Sequence, residues 1–129
     1  MELRLVRAFD RLIREKGYAN RSEAIRDLVR DALVQQEWGA GDEETMATVS
    51  LVYDHHHGDI TGTLNGIEHE NLGLIVSTLH VHLDHHNCLE VMVLRGKPAA
   101  IRAVSDRLIS TKGVKHGKLS VATTGKSIV

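Results

Sequence analysis

One stretch decides the fold of the larger part of this chain, and it runs Leu79-His-Val-His-Leu-Asp-His-His-Asn-Cys-Leu-Glu-Val-Met-Val-Leu94. Apolar residues alternate on both sides of a short polar turn at residues 84–87, which predicts a β-hairpin. Side chains two residues apart in a strand point the same way, so His80 and His82 present two imidazoles on one face. The returning strand brings the sulfur of Cys88 beside them. Two nitrogens and one thiolate make most of a site for a borderline-soft transition metal.

The pattern does not identify the metal or the fourth ligand. His69, near the end of the preceding predicted helix, is the candidate for the open position. A ligand from a neighbouring subunit would couple metal binding to oligomerisation. Imidazole and thiolate suit zinc, copper and nickel, and the residues alone do not separate these metals. Because binding needs a thiolate and neutral imidazoles, metal affinity is expected to fall as the pH drops.

Cys88 also has two interpretations without a metal. As a nucleophile it would use His80 or His82 as its base, but no oxyanion site or pocket is evident in the sequence. As a small core hydrophobe it would leave the two adjacent imidazoles unexplained. We therefore expect a metal-binding protein that is not an enzyme.

The patterns around the hairpin complete a βαββαβ order. Alternation with β-branched residues predicts the first strand, and an early proline starts the second helix. The predicted strands are Ala47–Tyr53, Leu74–Leu83, Cys88–Leu94 and Lys118–Ala122, and the predicted helices are Asp59 to about Gly73 and Pro98–Ile109. This order is the ferredoxin-like plan of a four-stranded antiparallel sheet with helices on one face, so the fold class is α+β.

The pattern of residues 1–37 predicts two helices instead. One face of the first helix is apolar, and Lys16-Gly17 ends it. At the start of the second, Asn20 stands three residues before Glu23, as in a capping box. Two helices this short do not enclose a core, so the segment is expected to dimerise. Basic and acidic residues nearly balance here and indicate no basic patch, and the glycine-bearing residues 38–45 are predicted to be a linker.

Composition sets the class of the whole protein. The chain has 129 residues, a formal net charge of −1 and one cysteine, so it forms no internal disulfide and is expected in a reducing compartment. The near-neutral charge argues neither for nor against a nucleic-acid partner, and the 3% aromatic content disfavours base stacking. No run is apolar enough for a membrane span and no signal peptide is evident, so we expect a cytoplasmic protein without a membrane partner.

Two segments together resemble the NikR family of nickel-responsive transcriptional regulators. They are Gly17-Tyr-Ala-Asn-Arg-Ser-Glu-Ala-Ile-Arg-Asp27 and the hairpin His80-Val-His82 with Cys88. The resemblance covers about residues 5–119. It implies a ribbon–helix–helix DNA-binding and dimerisation module at 1–37 and an ACT-type nickel-binding and tetramerisation domain at 46–129. In that family Ni(II) makes a homotetramer bind operator DNA and repress nickel uptake.

The resemblance also implies roles for individual residues of the hairpin. His80, His82 and Cys88 would bind nickel from one chain, in square-planar coordination. His69 would be donated by another chain of the tetramer, and Glu90 would support the site.

A second cation site is implied on the second helix, at Glu23 and Asp27. From the residues alone these form a solvated acidic pair balanced by Arg26 and Arg30, whereas the family binds potassium or low-affinity nickel there. His55 matches a family position near alternative metal sites. The histidines at residues 55–57 could also simply be exposed and bind metal loosely.

The chain departs from the family at its start. Met1–Leu5 leads directly into the first predicted helix, without the strand that pairs with its dimer mate and reads the major groove. The remaining predicted DNA contacts are made to phosphate by Asn20, Arg21 and Ser22, and such contacts position a protein without specifying sequence. An internal start, a shortened chain or a natural loss of the ribbon would each explain the difference. The last case gives the alternative function, a nickel-binding protein without sequence-specific DNA recognition.

Overall fold

The structure is a computed structural model and describes residues 2–129. Two helices come first and a four-stranded antiparallel sheet with two further helices follows, which confirms the predicted α+β class. In chain order the elements are α1 (Leu3–Glu15), α2 (Arg21–Ala40), β1 (Thr45–Asp54), α3 (Ile60–Glu70), β2 (Ile75–His82), β3 (Asn87–Gly96), α4 (Pro98–Ile109) and β4 (Val114–Val121).

Local interactions fix the end of α1 and the start of α2. Helix α1 stops at Glu15 because the chain turns back through Gly17, whose φ of +80° is the left-handed conformation that glycine adopts without strain. The side chain of Asn20 accepts a hydrogen bond of 3.0 Å from the backbone N–H of Glu23, so the predicted cap of α2 is confirmed. Within residues 2–129 no strand precedes α1.

The sheet has the strand order β2-β3-β1-β4, with every neighbouring pair antiparallel. Alternate residues of β1 and β3 are buried, so one face of the sheet packs against α3 and α4. The largest fully buried apolar side chains come from these four elements, and they are Leu51, Leu64, Met92, Leu94, Ile101 and Leu108. This core fixes the central strands on which the histidine–cysteine hairpin is built.

Three element boundaries differ from the sequence prediction by three residues or more. Helix α3 ends at Glu70 rather than near residue 73, and α2 continues to Ala40 rather than to about 37. Strand β4 begins at Val114, four residues before its predicted start, and includes Gly117, which the sequence places in a turn. A Cβ at this position would lie 2.8 Å from Cγ1 of Ile109. The glycine therefore allows α4 to approach the strand and does not mark a turn.

The last turn of α2 is bound to the C-terminal sheet through Trp38, which is 4% exposed and part of the main core. Its indole Nε1–H donates a hydrogen bond of 2.9 Å to the carbonyl oxygen of Ala122, directly after β4. The guanidinium of Arg102 on α4 lies 5.1 Å from the ring centroid, a cation–π distance. The second N-terminal helix thus reaches the core of the sheet through Trp38, and Val34 packs against the same core.

Two surfaces of the chain expose large apolar side chains. The first lies on α1 and α2, where Leu12, Ile25 and Leu28 are 44%, 50% and 58% exposed. The second lies on edge strand β2, where Val76 and Leu79 are 60% and 61% exposed. Contiguous apolar surface of this kind is typical of subunit contacts.

None of the helices described in residues 2–129 combines the length and the apolar character that crossing a membrane requires.

Candidate metal centre

The strand register assembles the centre at one end of the sheet. On β2 and β3, His82 pairs with Cys88 and His80 pairs with Glu90. On the other side of β3, Tyr53 of β1 pairs with Cys88. Directly paired residues of antiparallel strands share one face of the sheet. All five side chains therefore lie on the face that α3 and α4 cover, and the two histidines stand at its open edge.

Cys88 is the centre of the cluster. Its sulfur lies 3.5 Å from Nδ1 of His82 and 3.3 Å from Nδ1 of His55, which follows the end of β1. The three donor atoms lie within 4.8 Å of one another. Two imidazole nitrogens and one sulfur are a donor set that suits zinc, copper or nickel. The residues present in the chain therefore fit a transition metal.

The protonation of Cys88 also responds to the presence of a cation. The thiol is buried, and this burial raises its pKa, with the negative charge of Glu90 adding to the effect. A neutral thiol can donate a hydrogen bond to either imidazole at these distances. A bound cation favours the thiolate instead, so metal binding and loss of the thiol proton are coupled.

The other predicted ligands lie outside this three-donor cluster. His80 stands one residue pair further along the hairpin, with Nε2 3.7 Å from Oε1 of Glu90. His69 lies exposed in the last turn of α3. The single chain thus brings His82 and Cys88 together, adds His55 as the third donor, and holds His80 against the neighbouring carboxylate.

Glu90 is held in the core behind the cluster. It is 1% exposed and accepts a hydrogen bond of 2.9 Å at Oε2 from the hydroxyl of Tyr53. Burial, with a contribution from this carboxylate, raises the pKa of Tyr53. Glu68 on α3 lies near the same carboxylate. Burial, followed by a side-chain hydrogen bond with Glu90 and by the charge of Glu90, raises the pKa of Glu68 to about 8. The sequence did not single out Glu68, and its only signal was its place beside His69.

Two aspartates fix the loops that carry the remaining histidines. Oδ1 of Asp84 accepts the backbone N–H groups of His86 and Asn87 at 2.9 and 2.8 Å. These hydrogen bonds, with the side chain of Asn87 making the largest contribution, hold the pKa of Asp84 well below its usual range. Asp54 accepts the N–H of His56 at 2.9 Å in the same manner. The predicted turn at 84–87 is therefore a rigid end of the hairpin.

The loops after β1 and β2 meet at this end of the sheet. The backbone N–H of His55 donates to the carbonyl of His86 at 3.0 Å. Ring centroids lie 4.0 Å apart for His55 and His56, 5.6 Å for His56 and His86, and 5.4 Å for His85 and His86. In the sequence these imidazoles follow two different predicted strands, and the fold brings them together.

One of the two carboxylates of the predicted second cation site, that of Asp27, already has partners. Asp27 accepts a hydrogen bond of 2.7 Å from the hydroxyl of Tyr18 and lies 3.6 Å from Arg30. Glu23 occupies the first turn of α2, where its backbone is capped by Asn20. In the single chain, residues 2–129 bring no third acidic, histidine or cysteine donor to these two carboxylates.

The predicted phosphate contacts lie at the start of α2. The guanidinium of Arg21 donates two hydrogen bonds of 2.8 Å to the carboxylate of Asp10 on α1. The carboxamide of Asn20 caps the helix, and Ser22 is exposed. The backbone N–H groups of the first turn, together with the positive end of the helix dipole, remain available to an anion.

Comparison with known families matches both halves of the chain. A ribbon–helix–helix model of the CopG family matches residues 2–36, and a model of the NikR C-terminal nickel-binding domain matches residues 46–122. An uncharacterized protein of Thermotoga maritima has a similar fold, with a TM-score of 0.57 and 17% identity; the match covers 63% of this chain and 100% of that one.

Relatives of similar length share about half of the sequence. A protein of Nitratidesulfovibrio vulgaris, named as a candidate nickel-responsive regulator, is 56% identical over 124 residues, which cover 96% of this chain and 89% of the relative. Proteins named in the same way from Geobacter sulfurreducens and Pyrococcus furiosus are 56% and 54% identical over 125 residues, which cover 97% of this chain and 90% and 91% of theirs. By these matches the chain belongs to the NikR family of nickel-responsive regulators.

Proposed function

We propose that the protein is a nickel-responsive transcriptional regulator, in which Ni(II) bound at the C-terminal domain promotes binding to operator DNA and represses nickel uptake. The observation that carries this proposal is the buried Cys88 sulfur with imidazole nitrogens at 3.3 and 3.5 Å. This cluster lies in a chain whose N-terminal part matches a ribbon–helix–helix module and whose relatives are named as candidate nickel-responsive regulators. No enzymatic activity is part of the proposal.

The proposed nickel ligands are His80, His82 and Cys88 of one chain and His69 of another. The pairing of His82 with Cys88 supports two of them, and the position of His80 on the same face supports the third. The exposure of His69 supports donation to another subunit. When bound, nickel supplies a divalent charge that joins two chains. His55 is proposed as a hydrogen-bond partner of the Cys88 thiol rather than as a nickel ligand.

The proposed assembly is a homotetramer. Exposed apolar side chains on α1 and α2 support one dimer contact, and those on edge strand β2 support a second contact around the metal centres. Two different self-contacts on one chain are sufficient to build a closed tetramer with two kinds of interface.

The proposed path from the metal to DNA runs through α2. Its first turn is the proposed phosphate contact, with Asn20, Arg21 and Ser22, and its last turn is fixed to the sheet by Trp38. A rigid helix held at one end transfers a rearrangement of the metal domain to its other end. Glu23 and Asp27, on the same helix, are proposed as a second cation site for potassium, supported by their two exposed carboxylates.

Nickel titration of DNA binding tests the function. Labelled duplex DNA from the promoter of a nickel-uptake operon is mixed with the protein, and fluorescence anisotropy is followed with and without stoichiometric Ni(II). We expect affinity to rise at least about tenfold with nickel, a coupling of about 1.4 kcal/mol. Magnesium at the same concentration is the metal control, because oxygen-preferring cations do not suit the site.

Two histidine variants separate the proposed ligand from the thiol partner. We expect His80→Ala to abolish the nickel-induced gain in DNA affinity and the thiolate-to-nickel absorption band, and His55→Ala to retain both. If His55→Ala loses the band and His80→Ala retains it, His55 is the nickel ligand in place of His80. The proposed function is unaffected by that result. Nickel binding without any nickel-dependent gain on promoter DNA would instead favour the alternative, a nickel-binding protein without sequence-specific recognition.

A further inference from the structure

The outer side of α1 carries four arginines at a helical spacing. Helix positions advance by about 100° per residue, so the four side chains lie within about 80° of one another around the axis. Along the helix they span about 15 Å, at 1.5 Å per residue. All four are exposed. They are Arg4, Arg7, Arg11 and Arg14, and together they are called the arginine face below. The nearly balanced charge of residues 1–37 concealed this face, so the expectation that no basic patch exists was wrong.

Within residues 2–129 the arginine face forms no ion pair, although the charge of Arg14 contributes to lowering the pKa of Asp10. Asp10 lies three residues after Arg7 and four before Arg14, positions at which helical ion pairs form. Its carboxylate instead accepts hydrogen bonds from Nε and Nη2 of Arg21 on α2, each at 2.8 Å. Glu15 follows Arg11 by four residues, but the ion pairs described in residues 2–129 include none of the four arginines.

The arginine face lies beside the start of α2. Arg21 is the first residue of α2, and its contact with Asp10 places that turn on the flank of α1 which Arg7 and Arg14 share. Backbone N–H groups at the start of a helix attract anions. The arginine face therefore lies next to a helix end that favours phosphate.

We infer that the arginine face of α1 is a sequence-independent contact surface for the phosphate backbone of duplex DNA. Unpaired guanidiniums displace condensed counterions from DNA, which supplies affinity that depends strongly on salt. A helix that lies on a membrane must present its apolar side to lipid. The apolar side of α1 packs on α2 through Ile13 and Ala24, which are 8% and 2% exposed, and its exposed Leu12 belongs to the proposed dimer contact, so duplex DNA is the better match. The inference rests on the proposed DNA-binding function but concerns a different surface.

The test compares two variants with the same change in charge. The face variant carries Arg4→Gln, Arg7→Gln, Arg11→Gln and Arg14→Gln, and glutamine keeps the helix propensity of arginine. The control variant carries Lys97→Gln, Lys112→Gln, Lys118→Gln and Lys126→Gln, at exposed positions of the C-terminal half. Circular dichroism and the thiolate-to-nickel band verify that both variants fold. Affinity for a duplex of scrambled sequence is measured by anisotropy over a series of salt concentrations.

We expect the face variant to bind about tenfold or more weakly at low salt. Its plot of log affinity against log salt should become less steep. The magnitude of the slope should decrease by about 3 to 4, roughly 0.9 for each phosphate that an arginine no longer neutralises. The control variant should resemble the parent. Equal slopes for face variant and control overturn the inference, as does a parent that does not bind the duplex. So does a face variant that keeps DNA binding but loses affinity for vesicles of phosphatidylglycerol.

The same measurements keep the inference separate from the proposed function. Nickel could leave the parent's affinity for promoter DNA unchanged while the face variant still loses scrambled-duplex binding. That result would refute the proposed regulatory function and support the arginine face as a DNA contact. If nickel raises promoter affinity equally in parent and face variant, with no difference on scrambled DNA, the function stands and the arginine face does not.

Discussion

The hydroxyl of Tyr53 donates a hydrogen bond of 2.9 Å to the carboxylate of Glu90, which is 1% exposed. This hydrogen bond joins the first strand of the sheet to the hairpin directly behind the cysteine. Within residues 2–129 the other oxygen of the same carboxylate accepts no hydrogen bond from an N–H group or a hydroxyl; it faces His80 at 3.7 Å, and the carboxyl of Glu68 lies close to the same carboxylate. The carboxylate therefore depends on the tyrosine for its one firm hydrogen bond.

Tyr53→Phe is expected to lower the free energy of unfolding by about 1–3 kcal/mol, because it leaves a buried carboxylate oxygen without a partner. Urea denaturation of the metal-free protein measures the change. Tyr18→Phe is the matched control, since it removes a 2.7 Å hydrogen bond to Asp27 at the surface, and it should cost less than about 1 kcal/mol. Equal losses in the two variants would show that Glu90 does not rely on Tyr53.

Mixing two inactive variants tests whether His69 is donated between chains. We expect His69→Ala and Cys88→Ala each to lack the full thiolate-to-nickel absorption band. After joint refolding, a tetramer of both chains has sites that combine Cys88 from one with His69 from the other, so part of the band should return. Absorption spectroscopy at equal total protein checks this. No recovery in mixed tetramers, shown to form by mass spectrometry, would place the fourth ligand in the same chain.

Trp38→Ala is expected to cost about 3–5 kcal/mol of unfolding free energy, because it empties a site in the main core. Trp38→Phe keeps an aromatic ring and loses the hydrogen bond to Ala122, so a loss of about 1–2 kcal/mol is expected. Nickel absorption should persist in the phenylalanine variant, because Trp38 contacts the sheet at the end opposite Cys88. Its nickel-dependent gain in DNA affinity should shrink. An unchanged gain would show that this contact does not couple the two halves.

The ion pair between Asp10 and Arg21 predicts a dependence of stability on acid. The hydrogen bond from Arg21 lowers the pKa of Asp10 below its ordinary value of 3.8. A lowered pKa in the folded state contributes stability above pH 3.8 that is lost as the pH falls through the folded value. Asp10→Asn should therefore have a lower Tm than the parent near neutral pH, and the difference should close in stronger acid.

Asp31→Asn is the control for this pH series, because it makes the same charge change on α2 at a carboxylate without an ion pair among the described residues. Its Tm should differ little from that of the parent across the series. A difference for Asp10→Asn that persists unchanged below the folded pKa would assign the effect to packing rather than to charge.

Much of the fold could be predicted because its signals are local. Pro98 starts α4 where the sequence places it, and the polar turn at 84–87 fixes the hairpin. Two of the differences from the prediction depend on tertiary packing. Gly117 lies in a strand because Ile109 fills the space of a side chain. Trp38 stands in a polar stretch, and only the position of the sheet shows that its ring is buried.

The part of the candidate metal centre that depends on local sequence could also be predicted. The contact between His82 and Cys88 follows from the hairpin register alone, since the two residues are six apart around one turn. His55 is 33 residues from the cysteine, and its contact depends on β1 lying beside β3. Glu68 could not be predicted as a buried carboxyl, because its burial depends on how α3 packs on the sheet.

Gly117 has a consequence for the alignment of the outer strand. It pairs with Leu51, which is fully buried under α4. A slip of β4 by one residue in either direction would move the side chain of His116 or Lys118 to the position against Ile109, where not even a Cβ fits. Strand pairing is thereby restricted to one alignment by an atom that glycine lacks. At this edge of the sheet, steric exclusion specifies the fold as firmly as any attractive contact.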